Sequence, residues 1–223
     1  MAVLGVDGWR LGWVGALLDG RSVRLLALPD VAAVLAVPDV SVVAVDMPIG
    51  LSDDGVRACD VAARGLLGGA GSSVFPTPVR GVLATDDYAQ ARAISRAATD
   101  PPRAPSAQAF ALVRSIRALD DALGTPPSDR VVEVHPELAF RRGLGGVADR
   151  KGTARGTVQR LQALRAVMDV EAALAGAPTG VPVIDALDAC AAAWSAQRLA
   201  DGTAECVGDG SRDARDRPMR ICW

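Results

Sequence analysis

Hydrophobic and polar positions divide the N-terminal part of the chain into short, clearly bounded runs. Ala2 to Val6 is apolar and ends in Asp7, an apolar run from Trp9 to Leu18 meets Asp19-Gly20, and a further run covers Ser22 to Leu28. Asp-Gly between two apolar runs signals a hairpin, because a tight I′ turn needs positive φ at both centre positions. Residues 9 to 28 are therefore expected to be antiparallel. A short helix through Val31 to Leu35 and a fourth strand, Val42 to Val45, follow. That second buried run also ends in a carboxylate, Asp46, before Pro48 and Gly50 break it.

The pattern changes from Gly50 to about Gly124. Residues 53 to 67 suit a helix carrying the i,i+4 pair Asp60 and Arg64, and residues 70 to 81 are rich in Gly, Ser and Pro. Asp86 to Ala98 and Ser106 to Leu123 are helical by period. This stretch reads as a helical insertion, about 50–125, after the fourth strand. Pro126-Pro127 then leads into a β-rich run, Arg130 to Val134, and helices are expected over Thr153 to Ala175 and Val183 to Leu199. The tail, about 204–223, suits a small hairpin around Gly208-Asp209-Gly210.

With 223 residues, half of them hydrophobic, the chain has the size of one α/β domain, 1–223, with a real core. Its apolar segments fall short of the roughly 20 residues a spanning helix needs. No basic stretch, apolar core and cleavage site opens the sequence, so the expectation is a cytoplasmic protein with no membrane partner. Cys59, Cys190, Cys206 and Cys222 fall singly and His135 is the only histidine, which gives no zinc-binding spacing and predicts four reduced thiols.

The formal charge of −2, from 24 basic and 26 acidic residues, argues against a uniformly basic nucleic-acid coat but hides an asymmetry. Between residues 141 and 165 stand Arg141, Arg142, Arg150, Lys151, Arg155, Arg160 and Arg165 against Asp149 alone, a local +6 that leaves the remainder near −8. Lys151 is the only lysine in the chain.

Carboxylates carry the candidate chemistry. Asp7 ends the first strand, Asp46 ends the fourth, Glu133 lies in the fifth, and Asp185 and Asp188 sit three apart on the last helix, hence on one face. Singly, Asp7 and Asp46 suit turn initiation, and Asp185 and Asp188 suit the helix dipole. Jointly, charged groups at the ends of buried strands are costly unless something pairs with them. Hard cations need such oxygen-rich sets, so collected in space Asp7, Asp46, Asp185 and Asp188 would hold Mg²⁺ or Mn²⁺ in a two-metal site for phosphodiester hydrolysis.

Six motifs occur in order: Gly5-Val6-Asp7-Gly8-Trp9-Arg10-Leu11-Gly12-Trp13-Val14, Asp46-Met47-Pro48-Ile49-Gly50, Arg57 to Arg64, Ser72 to Arg80, Glu133-Val134-His135-Pro136-Glu137 and Leu187-Asp188-Ala189. They closely resemble the family called domain of unknown function 429, described as predicted nucleases of the RNase H-like fold. The resemblance implies a mixed five-stranded sheet flanked by helices, three antiparallel strands preceding two parallel ones. It implies a first-strand Asp, a second acid ending the fourth strand and one or two on the last helix, stations filled by Asp7, Asp46 and Asp188, with Asp185 and Glu133 as supplements. The spacing of Asp185 and Asp188 is similar to that of the Holliday-junction resolvase branch.

The same motifs offer substrate-binding candidates. Arg10, Arg57 and Arg64 are basic positions within them, Ser73 and Arg80 belong to a loop suited to anions, and His135 could orient a water or phosphate. Lys151 and Arg160 lie in the basic segment, whose expected partner is nucleic-acid backbone. Two other readings compete. The Asp7 hairpin loosely resembles that of the actin and sugar-kinase ATPases, although Trp9 and Arg10 stand where a small hydroxyl residue is expected, and a non-catalytic binding protein is the third.

Overall fold

The computed structural model describes residues 1–124 and 128–223, so the expected Pro126-Pro127 break lies outside the described residues. Strands β1 (Ala2–Trp9), β2 (Gly12–Asp19), β3 (Ser22–Leu28), β4 (Val40–Val45) and β5 (Val131–Glu133) form a sheet of order β3-β2-β1-β4-β5. β1, β2 and β3 are antiparallel neighbours, while β4 runs parallel to β1 and β5 parallel to β4. The α-helices are α1 (Val31–Leu35), α2 (Ala58–Leu67), α3 (Tyr88–Ala98), α4 (Ala107–Ala111), α5 (Val113–Ala122), α6 (Pro136–Leu138), α7 (Ala154–Arg165), α8 (Val170–Ala175) and α9 (Val183–Ala200). A second small sheet pairs β6 (Cys206–Val207) with β7 (Ile221–Cys222).

The chain divides into two compact units. The first comprises Met1–Met47, Asp129–Glu205 and Cys222–Trp223, and contains the five-stranded sheet. β1 is buried on both faces from Val3 to Val6, which is why it reads as a continuous apolar run, whereas the edge strand β3 alternates buried Val23 and Leu25 with exposed Ser22 and Arg24. α9 packs on β1, β2 and β4 and is buried from Ala186 to Ala193, a run of mostly small side chains that lets its backbone come close to the sheet. The second unit, Pro48–Ser128 with Cys206–Ile221, has a core of Val79, Val82, Ala91 and Val113 packed with Leu83, Ile94 and Phe110.

Several local expectations shift. The β2–β3 turn is centred on Gly20-Arg21, one residue later than expected, because Asp19 pairs with Ser22; only Gly20 of that pair has positive φ (60°), the pattern of a II′ turn. α2 begins at Ala58 and not at residue 53, since the Ser52 hydroxyl accepts from Gly55 N and holds a turn there. The helix expected over Thr153 to Ala175 is two. Arg21 donates from both Nη atoms to the carbonyls of Arg165 and Ala166, capping α7, and Asp169 N donates to Arg21 O before α8 starts. Likewise Ser106–Leu123 divides at Leu112 into α4 and α5. Cys206 and Cys222 are disulfide-bonded, and Cys59 and Cys190 are free and buried, which corrects the expectation of four reduced thiols. Among the described residues no helix is long and apolar enough to cross a membrane.

Candidate functional site

Strand register fixes the first two carboxylates. Val6 is the cross-strand partner of Val45, and Asp46 N continues the ladder by donating to Val6 O at 2.8 Å, so Asp7 and Asp46 follow as neighbours on one face. Adjacent strands lie about 4.8 Å apart, which sets the scale of that approach. Asp7 is fixed locally by accepting from Gly8 N at 2.7 Å.

Gly5 brings in the third and fourth. A Cβ on Gly5 would lie 1.9 Å from Ala193 N and 2.3 Å from Ala189 O, so helix backbone rests directly on strand backbone. From Gly5 to Asp7 the strand advances about 6.6 Å, and four helical residues, about 6 Å, lead back from Ala192 to Asp188. The glycine contact therefore aligns Asp188 with Asp7, and Asp185 follows one turn further out.

Electrostatics record that convergence. Burial first, then the charges of Asp46, Asp188 and Asp185, push the Asp7 carboxyl well above the ordinary carboxylate range, with Lys151 opposing. Asp46 is pushed up to about 6 by burial; His135 pulls it down, Asp188 pushes it up and Lys151 pulls it down. Asp185 is raised by burial and by Asp188. Asp188 is buried, and its Oδ2 accepts from Lys151 Nζ at 2.8 Å. Burial alone would lower the Lys151 ammonium, but Asp188, Asp46 and Asp7 outweigh it and raise its pKa. Burial and Asp188 push the Cys190 thiol up to about 12, so it is no nucleophile near neutral pH.

Glu133 does not join this group. It is the register partner of Val45, which places it with Val6 and Val45 on the opposite face of the sheet from Asp7 and Asp46. His135 is the N-cap residue of α6 and opposes the upward shift of Asp46.

The basic segment is largely engaged. Arg160, 1 % exposed, donates from Nη2 to Glu137 Oε2 at 2.6 Å and from Nη1 to Asp149 O and Gly156 O, and lies over the Phe140 ring. It is an internal anchor, which corrects the expectation that it binds substrate. Arg141 pairs with Glu137, Arg155 with Asp149 and Arg165 with Glu171. Arg142 and Arg150 are exposed and make no ion pair among the described residues, and Arg10 is exposed as well.

The remaining candidates belong to the second unit. Arg57 is buried, bonded to Asp60 and to the carbonyls of Ile49 and Gly50, and Arg64 donates to Val74 O. Ser73 is exposed and its hydroxyl donates to Ala70 O. Arg80 pairs with Asp120 and Asp213, and Asp120 also takes Arg215 and Arg217. Guanidinium groups committed in this way compensate the acids and carbonyls of their own unit, and removing one would leave a buried partner unpaired, so Arg57 and Arg80 are corrected to structural roles.

Sequence reasoning missed two residues on which the site depends. Gly5 carries no chemistry, and its signal is only an interruption of an apolar strand. Glu137, buried and holding both Arg141 and Arg160, was legible through its i,i+4 spacing to Arg141.

A family model described as protein of unknown function (DUF429) matches residues 5–212. The chain belongs to that family. No curated protein and no solved structure matches it.

Four carboxylates facing one ammonium leave this patch of the DUF429 chain short of positive charge, and their hard oxygen donors suit Mg²⁺ or Mn²⁺. Among the described residues, however, no group of three or more His, Cys, Asp or Glu side chains stands already arranged around a metal position. The donor chemistry fits a divalent cation, while one Asp188 oxygen is held by Lys151.

Proposed function

We propose that this DUF429 protein is a divalent-cation-dependent nuclease of the RNase H-like fold, hydrolysing phosphodiester bonds at the carboxylate patch. The observation that carries the reading is the strand register and the Gly5 contact that bring Asp7 of β1, Asp46 at the end of β4 and Asp188 of α9 to one face. Strand order β3-β2-β1-β4-β5, with only the first three strands antiparallel, supports the fold assignment.

Asp7, Asp46 and Asp188 would hold Mg²⁺ or Mn²⁺, with Asp185 at the half-buried rim. The bound cation supplies Lewis-acid stabilisation of phosphoryl oxygens and a water of lowered pKa. The chain's own groups do the positioning. Register fixes Asp7 beside Asp46, the Gly5 contact fixes Asp188, and the Lys151 ammonium, which has three donors and uses one on Asp188, can offer another to a phosphate oxygen. Glu133, facing the other side of the sheet, has no part in this set. Arg10, Arg142 and Arg150 are exposed cations suited to nucleic-acid phosphates, which serve as positioning contacts and carry no sequence information.

The test is Mn²⁺-dependent cleavage over structured and single-stranded nucleic acids. Asp7→Asn should remain folded and lose cleavage; cleavage that survives the substitution would refute the assignment.

A further inference from the structure

The carboxylate pattern in the sequence points to two metal ions, yet one of the positive charges at this patch is already part of the chain. Lys151 Nζ stands 2.8 Å from Asp188 Oδ2, and its charge reaches Asp46 and Asp7 as well. The side chain is not a loose surface lysine that happens to touch an acid, because the backbone carrying it is held from several directions. Gln159 and Asp149 exchange two hydrogen bonds, Nε2 to Oδ2 at 2.7 Å and Asp149 N to Oε1 at 3.1 Å. Buried Arg160, itself fixed by Glu137, donates to Asp149 O. Thr153 caps α7 by accepting from Gly156 N, and its hydroxyl donates to Arg150 O. Gly156 is required for the approach, since a Cβ there would lie 2.0 Å from Arg150 O. Residues 149 to 153 are thus a built support whose product is one ammonium group placed on Asp188.

Charge balance agrees with that placement. Asp7, Asp46 and Asp188 carry three negative charges when ionised, which one divalent cation together with one ammonium neutralises. Asp185 is half-buried and partly screened by water. A second divalent cation beside the ammonium would have to compete for the Asp188 oxygen that Lys151 holds.

We infer that Lys151 takes the place of a second metal ion, so that the patch binds a single divalent cation and the fixed ammonium supplies the other positive charge. This rests on the proposed cation-dependent reading of the same carboxylates. Arg160, Gln159 and Thr153 are then positioning residues for Lys151.

Mn²⁺ titration of the intact chain, followed by loss of the free-ion paramagnetic resonance signal, tests the inference without recourse to activity. The wild type should bind one Mn²⁺ per chain, Lys151→Met two, and Lys151→Arg one. The side chain is about half exposed, so Lys151→Met should fold, and circular dichroism checks it. A wild-type stoichiometry other than one, or an unchanged number in Lys151→Met, overturns the inference. Parallel cleavage assays separate it from the nuclease reading. A change from one ion to two with no cleavage by any of the three proteins keeps this inference and removes the nuclease. Cleavage by a wild type that holds two ions does the reverse.

Discussion

Substituting Gly5 by alanine probes the contact on which the carboxylate patch depends. The added methyl would lie 1.9 Å from Ala193 N, 2.3 Å from Ala189 O and 2.5 Å from Ala192 C, all backbone atoms of α9 that no rotamer change can remove. Restoring an ordinary 3.4 Å separation requires α9 to retreat by about 1.5 Å, against helix and sheet contacts spread over β1, β2 and β4. Overpacking of a filled core costs about 1–3 kcal/mol, and a clash with helix backbone belongs at the upper end. Alanine is better than glycine in a strand by roughly 0.5–1 kcal/mol, which is too little to reverse the sign. A net loss of about 2 kcal/mol corresponds to a midpoint lowered by roughly 4–8 °C for a chain of this size. Gly8→Ala is the control, because its methyl would meet only the flexible Met47 Cε at 3.5 Å. Thermal and urea denaturation of both variants measures the difference. A Gly5→Ala protein as stable as the Gly8→Ala control would refute the close-packing argument, and with it the account of how Asp188 reaches Asp7.

Stability should also respond to pH through Asp46. A carboxyl raised in the folded state contributes its stability fully below the unfolded value near 3.8 and loses it as pH rises through about 6, a difference of about 3 kcal/mol at most. Asp46→Asn should therefore be more stable than the wild type at pH 8 and show a flatter urea-midpoint profile between pH 4.5 and 8; parallel profiles would contradict this. Nucleic-acid binding should be less salt-dependent than the +6 segment implies. On the nuclease reading, with Arg10, Arg142 and Arg150 on the surface and Lys151 at the patch as the cations that meet phosphates, the slope of log K against log salt should be about −3.6, and a slope near −6 would mean that the internal ion pairs open on binding.

Much of the secondary structure was legible locally. β3 and α1 have the boundaries expected, since edge alternation and an Asp30 cap are local features. Helix interruptions were not legible. α7 stops where it does because Arg21, a turn residue more than 140 positions away, caps its carbonyls. The disulfide-bonded state of Cys206 and Cys222 was hidden as well, since four singly spaced cysteines carry no local sign of pairing.

By itself the sequence determined which acids follow buried apolar runs, because a run of four or five such residues followed by Asp declares both burial and the cost of that charge. It thereby marked Asp7 and Asp46, and helical spacing marked Asp185 with Asp188. Asp46 does follow the end of β4, whereas β1 continues past Asp7 to Trp9, so the expectation that Asp7 ends the first strand is corrected. Only tertiary structure decided how cations and acids are shared. A count of seven cations against one acid treats the 141–165 segment as isolated, whereas Glu137, Glu171 and Asp188 lie outside it in sequence and take up its charges in space. Sheet register likewise separated Glu133 from the other carboxylates, a distinction of one residue that turns a side chain to the opposite face. Composition fixes how much charge a chain carries; Coulomb energies depend on distance and burial, and those are properties of the folded pairings.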